Sequence, residues 1–167
     1  MSDLPVLTTL IRALDFAAAK HRMQRRKDAD ASPYINHPIA LAAVLAVEAG
    51  IDDPVVLCAA VLHDTVEDTE TSVAELAEHF GAEIAGVVAE VTDDKSLDKQ
   101  ARKELQVQRA AHSSTAARLV KLADKICNLR DLLAAPPAGW SAERKRAYFD
   151  WAARVIDGLR GTHAGLE

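Results

Sequence analysis

The sequence predicts an all-α fold, and three observations carry that expectation. Aromatic residues make up only 4% of a chain that is 49% apolar, so the core must be built from Ala, Val, Leu and Ile, which in alanine-rich sequence favours helices. Helix-start signals recur, as in Asp53-Pro54 and in the capping-box spacing of Ser72-Val73-Ala74-Glu75. No pair of alternating apolar runs flanks a hairpin turn. At 167 residues the chain is long enough for one well-buried core and short for two, so a single domain over 1–167 is expected.

Taken in order, Leu7, Leu10, Ile11, Leu14, Ala17 and Ala18 recur at intervals of three and four, which predicts an amphipathic helix from Leu4 to Lys20. A polar segment, Lys20 to Asp28, leads into the breaker-rich Ala31-Ser32-Pro33-Tyr34-Ile35-Asn36-His37-Pro38. Pro38 disfavours helix at the residue before it, which places His37 in an extended or capping conformation, and a helix from Ile39 to Ala49 stopped by Gly50. The run Val55 to Leu62 has no clear period, and its capped start decides for helix over buried strand. Further helices are expected from Ser72 to Phe80, closed by Gly81, and from Glu83 to Val91. The charge-laced Leu97 to Ala111 reads as a surface helix. A long helix follows Ser113-Ser114 through Leu133, with Asp124, Asn128 and Asp131 on one face. Ser141 caps a last helix to about Leu159, and Gly161 to Glu167 reads as a frayed tail.

Composition excludes several classes. A charged fraction of 27% beside ordinary apolar content argues against disorder, and a net charge of −5 argues against a general nucleic-acid binder. The longest apolar run is far shorter than the roughly 20 residues of a membrane span, and Met1 to Pro5 shows no secretory pattern. A soluble, cytoplasmic protein is therefore expected. Cys58 and Cys127 sit among apolar neighbours and read as buried free thiols.

The ligand-type residues gather around His63-Asp64-Thr65-Val66-Glu67-Asp68, which ends the apolar run at Leu62. His37, His63, Asp64 and Asp124 together offer two imidazoles and two carboxylates, a set that suits manganese, iron or zinc better than calcium. Adjacent ligands cannot face one way on a helix, so His63 and Asp64 would serve together only where a helix ends. A helix cap at His63 and a loop residue at Asp64 explain the same pair. Asp124, between Ala123 and Ile126, must be solvated, paired or metal-bound, and Lys121 and Lys125 could supply a surface pair. Glu67 and Asp68 could activate a water as general base, or form a solvated acidic turn. Five Lys or Arg in the eight residues Lys20 to Lys27 suit a small polyanion such as a nucleotide's phosphates, with a targeting or nucleic-acid patch as competitor. His21, His79, His112 and His163 read as surface or capping residues, and Trp140 and Trp151 as core.

Motif by motif, the chain resembles a known family. The order His37, His63-Asp64, Asp124 is similar to the metal signature of HD-domain phosphohydrolases. Gln24-Arg25-Arg26-Lys27-Asp28, Pro33 to Pro38, Leu62 to Thr69, Glu90-Val91-Thr92-Asp93-Asp94-Lys95 and Val120 to Lys125 resemble the hydrolase domain of RelA/SpoT proteins. Gly139-Trp140-Ser141 and Tyr148 to Ala152 resemble the stand-alone small alarmone hydrolases of the metazoan SpoT-homologue type, and the likeness runs from about Leu10 to Gly161. It implies a single all-α HD-domain helical bundle holding one manganese ion (Mn2+) on His37, His63, Asp64 and Asp124. It also implies Glu67 and Asp68 as the pair that positions and activates the attacking water. Arg26 and Lys27 match contacts to guanine and phosphates, Asn128 a polar contact near the ribose, and Lys99, Arg144 and Tyr148 phosphate contacts. The implied reaction removes the 3′-pyrophosphate of guanosine tetra- or pentaphosphate (ppGpp or pppGpp), giving GDP or GTP. The same group is linked to removal of the ribose 2′-phosphate of NADPH, and a nucleotide-binding HD module without turnover is the non-enzyme alternative. Cys127 departs from the aromatic residue that relatives commonly carry before Asn128. No synthetase or regulatory segment follows, so hydrolysis without alarmone synthesis is expected.

Overall fold

The computed structural model describes residues 4–167, and Met1-Ser2-Asp3 of the start read for secretion signals lies outside the described residues. Helix α1 spans Leu4–His21 and helix α2 spans Asn36–Ala43, which runs on into one π turn, Val44–Glu48. Helix α3 is Pro54–Leu62, α4 Thr65–Asp68, α5 Val73–Phe80 and α6 Ala82–Val91. Helices α7, α8 and α9 are Lys99–Ala110, Thr115–Ala134 and Ala142–Leu159. Among the described residues, extended pairing is confined to one isolated bridge, Arg25 with Pro33, so the all-α expectation holds.

Helix α3 is the axis of the bundle. Residues Val56 to Leu62 are buried on every side, which is why the run showed no amphipathic period. Its backbone groups are satisfied within the helix, and Asp53 accepts from the Val55 N–H at its start (2.8 Å). Helices α1, α2, α6 and α8 pack around it, and α7 and α9 pair on the far side of α8. The buried apolar residues, Leu132 and Ala152 apart, form one continuous cluster.

The capping serines behave as their positions predict. Ser72, Ser114 and Ser141 each accept from the N–H three residues on. Asp98 does the same at α7, a cap the sequence reading left out. Gly81 carries φ +91°, which lets one residue close α5 and open α6.

Four expectations fail. His37 is helical, in the first turn of α2, because N–H groups there need no intrahelical partner and Pro38 costs nothing at that place. His21 is buried, against the surface reading, with Nδ1 on Gln24 Oε1 (2.7 Å) and its ring 4.9 Å from that of Tyr34. Helix α7 is half-buried against α9 rather than a free surface helix. The tail is folded back: Leu166 is buried, and the N–H groups of Thr162 and His163 donate to Glu167 Oε1.

Candidate active site

Four segments converge at one end of α3. α3 ends at Leu62, His63 is its last cap, and Asp64 starts the short α4, so the adjacent pair falls at a helix end as joint action requires. His37 comes from the first turn of α2, and Asp124 from the middle of α8. One ligand atom each from His37, His63 and Asp124 lies within 4.8 Å of the others. Asp64 stands beside that set, its Oδ2 2.9 Å from His63 Nε2.

Hydrogen bonds fix the donor atoms. His63 Nδ1 donates to the Ala60 carbonyl (2.8 Å), which leaves Nε2 as the nitrogen whose lone pair a cation would take in place of a proton. That Nε2 is buried and makes no hydrogen bond of good geometry, with the Asp64 carboxylate 2.9 Å away. An orphaned imidazole nitrogen among carboxylates is what a divalent cation would satisfy, so the residues fit a metal. Asp124 Oδ1 lies 3.1 Å from His37 Nε2 and accepts from Asn128 Nδ2 (2.8 Å), while Oδ2 accepts from Lys125 Nζ (3.2 Å). Tyr34 donates its hydroxyl to Asp64 Oδ2.

The electrostatics follow from this crowding. Burial would lower the pKa of His63, but the Asp64 and Asp124 carboxylates outweigh it and push it up to about 9. Burial would raise Asp124, yet the Lys125 ammonium and the two histidines hold it well below the usual range. Glu67 goes the other way: burial, with Asp93 and Asp64 nearby, pushes its carboxyl up to about 7. Burial and the Asp64 charge keep the Tyr34 phenol protonated.

Glu67 accepts from the Asp93 N–H (3.2 Å), and Gln106 donates to the Asp93 carboxylate (2.6 Å). Asp68 accepts from Gln24 Nε2 (2.9 Å) and Lys95 Nζ (2.6 Å). Glu67 is thus a half-buried, held carboxylate, while Asp68 is exposed to solvent and tethered by Gln24 and Lys95.

Beside the cluster lies a cavity of about 640 Å³, lined in part by Arg26, Lys27, His37, Asp68, Asn128 and Tyr148. Nucleotide-sized ligands occupy cavities of this order. Arg26 reaches it because the chain after α1 folds back on itself, with Arg26 N–H donating to Ser32 O and Tyr34 N–H to Gln24 O. Its guanidinium bonds Asp131 (2.6 Å) and approaches Asn128 Oδ1 (3.5 Å), which joins the one-face trio of α8 to the cavity wall. Lys99 and Arg144 are not on that wall. Arg144 lies over Trp140 (4.1 Å), which does line it, and Lys99 and Arg144 both act on Lys103, whose pKa burial and these cations lower.

Several site residues carry no role in the sequence reading. Tyr34 and Gln24 lie inside motifs that were read for their histidine and arginines, and Lys95 inside another. Lys125, which could have formed a surface pair, is buried; Trp151 packs against the core as expected and also covers Lys125, while Trp140, expected as core, lines the cavity. Cys58 and Cys127 are buried free thiols as expected.

A family model described as HD domain matches residues 13–150. The chain is 60% identical over 158 residues to human guanosine-3′,5′-bis(diphosphate) 3′-pyrophosphohydrolase MESH1, covering 95% of this chain and 88% of the human protein. Its Drosophila melanogaster counterpart is 55% identical over 157 residues, with 94% and 88% covered. A solved structure described as a metazoan orthologue of SpoT that hydrolyses ppGpp superposes with a TM-score of 0.93 at 54% identity, covering 95% of this chain and 89% of that one.

Proposed function

The chain belongs to the HD-domain family, and from that premise we propose that it is a metal-dependent hydrolase removing the 3′-diphosphate of guanosine 3′,5′-bis(diphosphate). The observation that carries the reading is the orphaned His63 Nε2 among His37, Asp64 and Asp124, opening beside a cavity edged by Arg26, Lys27 and Asp68. Those four residues would hold a divalent cation, with manganese our choice for mixed nitrogen and oxygen donors, and it would supply positive charge to the phosphoryl oxygens. Asp68 orients a water and Glu67 takes its proton, and in the metal-free protein burial and the Asp93 and Asp64 carboxylates raise the basicity of Glu67, the property a proton acceptor needs. The water oxygen attacks the phosphorus attached to the ribose 3′-oxygen. That P–O bond breaks, the 3′-oxygen recovers a proton, and GDP and pyrophosphate leave. Arg26, Lys27 and Tyr148 line the space for guanine and phosphates, Asn128 ties the ribose side to Asp124, and Lys99 and Arg144 add positive charge from behind that wall. Residues 1–167 act in this reading as one hydrolase domain. Nothing in the site favours the 2′-phosphate of NADPH.

The mechanism is tested by Glu67→Gln combined with Asp68→Asn. Manganese uptake, read by calorimetry, should persist while turnover falls by about 10²-fold or more. Turnover within a few-fold of the parent excludes this pair as the proton acceptor.

A further inference from the structure

Lys125 is the lysine that the described residues bury, at 2% exposure. An ammonium withdrawn from water needs compensation. Its hydrogen bond goes to Asp124 Oδ2 (3.2 Å), and the Trp151 ring covers it at 4.4 Å. Trp151 is itself held, its Nε1 donating to the Lys103 carbonyl (3.0 Å) and its ring meeting Lys103 Nζ at 4.8 Å. The two oxygens of Asp124 are thereby divided. Oδ1 faces His37 Nε2 (3.1 Å) and His63 Nε2 (3.8 Å), and Oδ2 belongs to Lys125.

We infer that Lys125, seated under Trp151, is a positioning residue that reserves Oδ2 of Asp124, so that this carboxylate offers a divalent cation a single oxygen. The inference rests on reading His37, His63, Asp64 and Asp124 as the cation site. A carboxylate can bind a cation through one oxygen or both, and using both takes up space on the cation that water and substrate require. Two effects of removing the ammonium agree in sign. The second oxygen is freed to chelate, and a positive charge that opposes the divalent cation disappears. Binding should hold or tighten while turnover falls.

The test is Lys125→Met, which keeps the volume and removes the charge. Manganese titrated into metal-free protein should bind as tightly as in the parent or up to about tenfold more tightly. In the same variant kcat should fall by about tenfold or more, with KM for guanosine 3′,5′-bis(diphosphate) within a few-fold of the parent. Trp151→Leu should move both readouts in the same sense, and Trp151→Phe, which keeps a ring over Lys125, should stay near the parent. A merely structural lysine would instead weaken metal binding and kcat together, or leave kcat per folded molecule unchanged; either result overturns the inference. If Lys125→Met does not fold, the Trp151 pair decides on the same two readouts. A parent that takes up no manganese removes the premise and the inference with it, a result distinct from a variant that behaves as the parent does.

Discussion

At Glu67, burial and the neighbouring Asp93 and Asp64 carboxylates act in one direction, raising its carboxyl from 4.5 to about 7. In metal-free protein the sign of the consequence is fixed. A carboxyl that holds its proton more tightly folded than unfolded contributes stability that is complete below pH 4.5 and is lost as pH rises through 7. Glu67→Gln removes that loss. The variant should match the parent near pH 4.5 and exceed it at pH 8 by about 1–2 kcal/mol, after discounting for solvent at a partly exposed group. Urea unfolding with chelator at the two pH values measures this, and an equal gap at both would contradict it. The cluster was only partly legible in the sequence: His63-Asp64 marks a helix end, but spacing left a helix cap and a loop residue as an equal reading, and the four-residue set came from the resemblance to HD-domain phosphohydrolases. Tyr34, Gln24 and Lys125 were not legible, because their roles depend on which oxygen of Asp64, Asp68 or Asp124 each one holds. That is a matter of approach between helices, which spacing along one helix does not contain.

Between elements, helices α7 and α9 meet at Gly158. A Cβ built there would stand 2.7 Å from the Ala110 Cβ, which is short and cannot swing aside. Helix propensity alone says that Gly158→Ala stabilises by about 1 kcal/mol. The contact reverses the sign, and a loss of about 1–3 kcal/mol in denaturant unfolding is expected. A gain in stability would show that the helices separate without cost. The same contact explains an error about the element itself. The charges of Lys99 to Arg109 predict a free surface helix, but their aliphatic stems and Trp151 bury half of it. Helix boundaries were otherwise well marked, since Asp53, Ser72, Ser114 and Ser141 all cap where their types suggest. The start of α2 was misplaced because the steric bias before a proline is weak against the burial of His37 beside Asp124.

At the scale of the whole molecule, α3 is both the most buried helix and the one that ends at the proposed ligands His63 and Asp64. Its neighbours α2 and α8 bring His37 and Asp124 to the same place. The metal-free cluster holds carboxylates and a histidine whose proton a cation would displace, which would tie metal uptake to pH through His63 at about 9. Among the described residues no helix is long and apolar enough to cross a membrane. What this architecture is for is decided most directly by giving the purified protein guanosine 3′,5′-bis(diphosphate) and, separately, NADPH, each with manganese and with chelator, and identifying the products. GDP and pyrophosphate are expected in equal amounts from the guanosine substrate, and chelator should abolish both. Unchanged guanosine substrate in the presence of manganese, or orthophosphate from NADPH as the only product, would contradict the proposed reaction.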